Sequence, residues 1–397
     1  MSEKRASREL ARITPILRGL LANATGDADL PYAPVILKSL QTKKAIEFAA
    51  SANNVEARKY PAPLVKDRRP PLFMGEVDAS GEAQDIRKHL SDAVAAYSER
   101  FASKPQVICL PGLGVLYIQG KDDDSRAGEM PLRNKVALVT GAAGAIGYGI
   151  CRGLLETGCR VAASDLAGRK LDSFTADLKQ TWDDRAIGVP IDVTQTESVL
   201  AGFDEIIQAW GGIDIVVVNA GIAMISRLKE MDLEAFRKLE KVNVEGTLLT
   251  LREIANHFVL QGTGGDVIIV STKNVPCPGA GFGAYSATKA ACHQLGRIAS
   301  LELAEFGVRV NMVAPDGVFS EGKYKSGLWA EVGPDRMKAR GLDEDGLAEY
   351  YRNRNLLKIR ITGRHVANAV LFFATRQVPT TGITLPVDGG LPDATPR

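Results

Sequence analysis

The sequence predicts an α/β fold, a doubly wound parallel sheet of seven strands preceded by a small N-terminal α+β module. Three observations carry this. From Leu132 onward, short β-branched runs alternate with amphipathic helical patterns, the mark of a parallel sheet covered on both faces. Lys135-Val-Ala-Leu-Val139 runs into a glycine-rich turn, Thr140-Gly-Ala-Ala-Gly-Ala-Ile-Gly147, and then a helical pattern over Ile146–Leu155, the strand, loop and helix that cradle a pyrophosphate. Ahead of Leu132 the alternation is absent, and the polar run Lys121-Asp-Asp-Asp-Ser-Arg-Ala-Gly128 marks a boundary.

In chain order, residues 1–131 are expected to carry helices over Arg8–Leu21, Thr42–Ser51 and Glu82–Phe101, then a hairpin over Val107–Ile118. Pro61, Pro63, Pro70 and Pro71 make the middle of this module irregular or extended. In residues 132–397 the expected strands are Lys135–Val139, Val161–Ser164, Gly188–Val193, Ile213–Asn219, Asp266–Ser271, Val308–Val313 and Ile383–Val387. Helices are expected over Glu197–Trp210, Leu233–Val259 and Ala284–Phe306, the last closed by Gly307. Phe319–Arg354 is long, poor in strand pattern and follows the sixth strand. A doubly wound sheet has its ligand crevice there, so this segment is expected to form a substrate lid.

Composition narrows the class. The 397 residues carry a formal net charge of +2, with no basic arm and no aromatics interleaved with cations, so a nucleic-acid surface is not expected. The longest apolar stretch, around Ile213–Ile225, is broken by Asp214 and Asn219 and is too short for a membrane span. Met1-Ser-Glu-Lys-Arg5 leads into no apolar signal core. Cys109, Cys151, Cys159, Cys277 and Cys292 are odd in number and lack a C-x-x-C pair, which fits a reducing cytoplasm rather than a disulfide framework or zinc knuckle. His89, His257, His293 and His365 have no ligand spacing, so no metal site is expected.

Tyr285 and Lys289 lie four residues apart on one helix face. A phenol with a pKa of about 10 becomes a usable base when nearby positive charge favours its anion, and Lys289 is spaced to supply that charge. Arg160-Val-Ala-Ala-Ser-Asp165 ends in a carboxylate about 20 residues beyond the glycine turn, where an acid holds ribose hydroxyls. A 2′-phosphate there would be repelled, and no Lys or Arg lies within Gly141–Gly147. NAD is therefore expected over NADP.

Together these residues resemble the short-chain dehydrogenase/reductase family, a Rossmann-type fold, over Leu132–Arg397. Gly141, Gly144, Ala145, Ile146 and Gly147 look like its cofactor loop, Asp192-Val193 its adenine contact and Asn219-Ala-Gly221 its fourth-strand motif. Tyr285 and Lys289 look like its active-site pair, with Asn243 at its catalytic asparagine and Thr272 where it normally has serine. The resemblance implies that Tyr285 exchanges the proton of a substrate hydroxyl while hydride passes to or from the nicotinamide. It implies that Lys289 lowers the Tyr285 pKa and binds the nicotinamide ribose, that Thr272 holds the substrate oxygen, and that Asn243 supports a water linking Lys289 to solvent. Pro315, Val318 and Ser320 would line the nicotinamide side, and assembly would be a homodimer or homotetramer through the two long helices. Ala145 replaces the middle glycine of the loop, and Asp316 replaces the glycine expected after Pro315.

A narrower resemblance bears on substrate. Thr272-Lys-Asn-Val-Pro-Cys-Pro-Gly279, Gly327–Arg336, Glu349–Leu357 and Thr381–Gly390 look like the dehydrogenase half of bifunctional rhamnulose-phosphate aldolase/alcohol dehydrogenases. This implies a small hydroxyaldehyde such as lactaldehyde, a polyol or a related sugar-derived alcohol. A sugar-alcohol phosphate of the sorbitol-6-phosphate 2-dehydrogenase type and a catalytically silent NAD-binding scaffold are the alternatives. Residues 1–131 resemble a truncated class II aldolase without its metal site, chiefly at Ile16-Leu-Arg-Gly-Leu20 and Val107–Gly114. Lys273, Asn274, Asp316, Arg352 and Arg354 are the candidate substrate contacts; the cations either meet a phosphate or carboxylate or form a solvated face.

Overall fold

The computed structural model describes residues 3–51, 69–119 and 130–392. The expected boundary run Lys121–Gly128 and the expected irregular stretch at Pro61 and Pro63 lie outside them.

The N-terminal part runs α1 (Glu3–Leu21), β1 (Asn23–Ala24), β2 (Tyr32–Ala33), β3 (Leu37–Leu40), α2 (Lys43–Ala49), β4 (Leu72–Phe73), α3 (Ala83–Phe101), β5 (Val107–Leu110) and β6 (Gly114–Ile118). Four of these strands form a sheet in the order β3-β6-β5-β4. The expected hairpin is its centre, β5 pairing antiparallel with β6 from Val107↔Tyr117 to Leu110↔Gly114. Gly114 has φ +117°, and a Cβ there would stand 2.3 Å from the Leu40 carbonyl oxygen, so only glycine fits. Leu10, Ile13, Leu17, Ile86 and Leu90 pack into a core of their own under this sheet.

The larger part runs β7 (Val136–Val139), α4 (Ala145–Glu156), β8 (Arg160–Asp165), α5 (Arg169–Trp182), β9 (Ala186–Pro190), α6 (Thr196–Trp210), β10 (Ile215–Val218), α7 (Leu233–Glu240), α8 (Gly246–Gln261), β11 (Gly265–Val270), α9 (Gly283–Glu302) and β12 (Val308–Pro315). It closes with the hairpin β13 (Ser320–Glu321) and β14 (Tyr324–Lys325), then α10 (Gly327–Arg340), α11 (Glu344–Arg354), α12 (Gly363–Ala374) and β15 (Thr384–Val387). Seven strands form one sheet in the order β15-β12-β11-β10-β7-β8-β9. Every neighbouring pair is parallel. The continuous apolar runs are explained by burial: β7, β10 and β11 are buried along their whole lengths, as strands covered by helices on both faces must be. The chain leaves β7 toward one edge and returns at β10 toward the other. The topological switch therefore lies between β7 and β10, where a crevice opens beyond the strand ends.

One expected helix is not continuous. Leu233–Val259 divides into α7, a π-helical turn over Lys241–Glu245 and α8. Such a turn inserts a residue without breaking the helix, and here it carries Asn243. Gly307 closes the α9 region as expected, at φ +71°.

The two parts meet at the end of the sheet opposite the crevice. Arg18 of α1 is buried and donates to Asp214 just before β10, to Gln261 at the end of α8, and to the carbonyls of Val35 and Asn134. Asp214 also accepts from the Val136 N–H that starts β7. Asp29 adds a second tie, accepting from Arg309 at the start of β12 and, through its carbonyl, from Arg376. Close approach is obligatory, because a Cβ on Gly19 would lie 1.9 Å from the Gln261 carbonyl oxygen.

Candidate active site

The buried strand β7 delivers Thr140 to the switch point. Its hydroxyl accepts from the backbone N–H groups of Asn219 at 3.0 Å and Ala220 at 3.1 Å. The Asn219 amide donates to the carbonyls of Thr140 and Gly141, so the segment after β10 is stitched to the glycine-rich turn. Gly141 has φ +60° and packs on Ala220, where a Cβ would come within 2.7 Å of its Cα. Gly144 caps α4, and a methyl group placed on it would meet nothing within 4 Å. That open face, beside the unpaired N–H groups of a helix N-terminus, suits a pyrophosphate. Ala145, the departure from the glycine pattern, is 1% exposed and packs in the core with Ile150 and Val139. Its methyl is therefore accommodated within the fold rather than projecting from the loop.

Asp165 ends β8 and accepts from the Ala143 N–H at 3.0 Å and the Leu166 N–H at 2.9 Å. Lys170 stands 3.6 Å from the same carboxylate, a cation near the ribose position that the glycine turn gave no reason to expect. Asp192 accepts from both the N–H and the hydroxyl of Thr194, which fixes the bend that brings Asp192 and Val193 to the crevice wall.

Tyr285 and Lys289 share the buried face of α9. Thr272, just beyond β11, lies beside the Tyr285 hydroxyl and favours its anion. Lys289 donates from Nζ to the Val270 carbonyl at 2.9 Å. Asn243 accepts from the Ile222 N–H at 2.9 Å and donates to the Ile222 carbonyl and the Thr288 hydroxyl. Gly221 packs closely on this set: a Cβ there would sit 3.2 Å from Asn243 Oδ1 and 3.3 Å from Lys289 Nζ. The Asn243 carbonyl in turn accepts from the Cys292 thiol at 2.8 Å.

Burial dominates the electrostatics. It pushes Tyr285 up to about 12, with Thr272 opposing, and it holds Lys289 below its ordinary value. This direction is opposite to the lowering expected of Tyr285 from Lys289 alone, because the loss of water around the phenolate outweighs a cation already engaged with Val270.

A single crevice of about 950 Å³ joins these parts, lined from Asp165 and the glycine turn to Tyr285 and the segment after β12. Pro315, Asp316 and Val318 line it, as do Lys273, Asn274 and Arg354. Three candidates stand apart from it. Arg352 points to Glu349 and the Lys358 carbonyl, because its place on α11 turns it away from the crevice-facing Tyr351 and Arg354. Ser320 pairs with Lys325 in the β13–β14 hairpin, whose Tyr324 is bonded to Asp177 of α5. Asn243 lies behind the wall rather than on it, 1% exposed.

The segment expected to form a lid folds as β13, β14, α10 and α11, with Ser326 and Asp343 capping the two helices. It brings Trp329, Arg336, Arg340 and Tyr351 to the crevice. Sequence reasoning missed Arg336 and Arg340, although their four-residue spacing on one helix face was legible.

A parallel sheet with a pyrophosphate-type loop, an acid at the second strand and a buried Tyr–Lys–Thr set defines an oxidoreductase acting on CH–OH groups. The short chain dehydrogenase family model matches residues 135–329. L-2,3-butanediol dehydrogenase of Corynebacterium glutamicum is 31% identical over 264 residues, 65% of this chain and 98% of that protein. The chain belongs to the short-chain dehydrogenase family, whose members bind NAD(P) and small-molecule substrates. The uncharacterized oxidoreductase YuxG of Bacillus subtilis is 29% identical over 471 residues; this alignment takes in all of this chain but only 66% of YuxG. The crystal structure of sorbitol-6-phosphate 2-dehydrogenase SrlD from Erwinia amylovora matches with a TM-score of 0.59 at 26% identity, over 64% of this chain and 98% of that one.

Among the described residues, no helix is long and apolar enough to cross a membrane, and no group of three or more His, Cys, Asp or Glu is arranged to hold a metal.

Proposed function

We propose that the protein is an NAD-dependent dehydrogenase of a small sugar-derived alcohol, a polyol or hydroxyaldehyde of the lactaldehyde kind. The observation that carries this reading is the pairing of Tyr285 and Thr272 on the wall of a crevice that also takes in the glycine turn and Asp165. NAD, when bound, supplies the carbon that accepts or returns the hydride. Thr272 holds the substrate oxygen, and Tyr285 takes its proton in oxidation or returns it in reduction. Lys289 stabilises the phenolate as it forms and passes the proton on through the Asn243 neighbourhood. Because burial alone disfavours the phenolate, the base works only when substrate and cofactor complete the charge around it.

Asp165 supports NAD over NADP, since its carboxylate accepts ribose hydroxyls and repels a 2′-phosphate; Lys170 beside it softens that preference. Residues 1–131 fit a truncated class II aldolase-like module with an assembly role. Exposed Leu248, Val259, Ile298 and Leu301 on α8 and α9 suit a homodimer or homotetramer through those helices. Five cysteines without disulfide partners suit a reducing cytoplasm.

The test is a panel of polyols, hydroxyaldehydes and sugar-alcohol phosphates with NAD and NADP, read at the nicotinamide absorbance. Turnover of at least one class, abolished by Tyr285→Phe with NAD binding retained, is expected. NAD binding without turnover of any alcohol would instead identify a silent scaffold.

A further inference from the structure

The substrate end of the crevice carries more positive charge than the reaction needs. Lys273, Arg336, Arg340 and Arg354 all line it. Asp316 forms a long pair of 3.8 Å with Arg354 and also acts on Lys273, whereas Arg336 and Arg340 have no ion pair among the described residues. Arg336 lies over the Phe282 ring, 4.6 Å from its centroid, and reaches the Tyr351 hydroxyl. Arg340 lies 4.6 Å over Tyr350 and reaches that hydroxyl. Aromatic faces and hydroxyls orient a guanidinium without neutralising it, so both keep their charge and further N–H groups to meet an anion.

Two buried polar atoms here have no hydrogen-bond partner, Arg336 Nε and Asn274 Oδ1. Buried polar groups are normally satisfied, and these two are a donor and an acceptor on residues that line the crevice. The route from the reacting centre is short. Lys273 follows Thr272 directly, and the Phe282 ring beneath Arg336 packs against Tyr285 at a centroid distance of 6.1 Å.

We infer that the lid forms an anion subsite, so that the substrate is a polyol or hydroxyaldehyde with a terminal phosphate or carboxylate. Arg336 and Arg340 grip the anionic end, Lys273 and Arg354 flank it, and Asn274 Oδ1 and Asp316 accept hydroxyls of the intervening carbons. Guanidinium forks match the paired oxygens of either anion. This rests on the dehydrogenase reading above and narrows its substrate from neutral to charged.

The test uses the full chain in two arms. In the first, kcat/KM is compared for a hexitol, its terminal phosphate ester and the matching hexonate. A charged member should exceed the neutral one by about tenfold or more, and the better of the two identifies the anion. Arg336→Gln and Arg340→Gln should each lower that ratio about tenfold, with Arg336→Lys intermediate. In the second, inorganic phosphate is titrated calorimetrically into protein saturated with NADH, which blocks the pyrophosphate site. Binding to wild type, weakened in both variants, is expected even if no alcohol is turned over, so failure of the dehydrogenase reading stays separable from failure of the subsite. A kcat/KM ratio near one, or phosphate binding that is absent or equal in wild type and variants, would overturn the proposal. Melting curves establish that each variant is folded, and the wild-type ratio decides the matter where one is not.

Discussion

Arg18 Nη2 and Asp214 Oδ2 meet at 2.7 Å across the junction of the two parts of the chain, their side chains 1% and 6% exposed. A buried pair is costly to form but costlier to break, since removing one partner strands the other's charge at about 3–5 kcal/mol. Arg18→Met should lower unfolding stability by that order. Adding Asp214→Asn should restore part of it, because the amide oxygen still accepts from Val136. Denaturant midpoints of the two variants measure this; a loss below about 1 kcal/mol for Arg18→Met would show that the pair does not hold the junction.

The ribose position offers a second test. Asp165→Asn removes the charge that repels a 2′-phosphate and leaves Lys170, 3.6 Å away, to attract one. The ratio of kcat/KM for NADP to that for NAD should rise about tenfold. No change in the ratio would mean that Asp165 does not set cofactor preference.

The pH dependence of alcohol oxidation follows from Tyr285. With burial raising the phenol in the free protein, the phenolate is the scarce form at neutral pH, and its fraction grows with pH until the pKa of the cofactor-bound site is passed. Oxidation should therefore quicken as pH rises, while carbonyl reduction, which needs the phenol, should not. A pH profile of kcat/KM for oxidation that stays flat from about pH 6 to about pH 9 would remove Tyr285 as the base.

Acid stability should depend on His257. Burial pushes it down to about 4, and its Nε2 accepts from the Ile213 N–H at 3.0 Å. The unfolded chain protonates this imidazole near 6.5 whereas the folded chain resists until about 4. Stability is thus lost as pH falls through that window, by up to about 3 kcal/mol, and the effect saturates below it. His257→Gln keeps an acceptor but binds no proton, so its stability should fall less over the same window in denaturant titrations.

How far the chain could be read depended on how local each signal was. The run Val136–Val139, the turn at Gly141–Gly147 and the Tyr285–Lys289 pair each declare themselves within a few residues, so the sheet, the loop and the face that Tyr285 and Lys289 share were legible. The π-helical turn around Asn243 was not, because an inserted residue in a helix leaves no compositional trace. Arg336 and Arg340 read as ordinary helix-surface cations until tertiary packing brought α10 over Phe282. Arg352 shows the converse: its sequence neighbourhood suggested a ligand, but helical phase on α11 turned it toward Glu349. Arg18 did leave a trace, a lone cation inside the apolar run Ile13–Leu21, but its partner is 196 positions away.

The interrupted helix from Leu233 to Gln261 joins two otherwise remote events. Asn243 holds the crevice wall at one point of it and Gln261 receives Arg18 at its end, 18 positions further on, about 27 Å of α-helix. The helix is thus a strut whose far footing is the N-terminal module. Truncating that module should slow turnover without removing a single atom from the crevice.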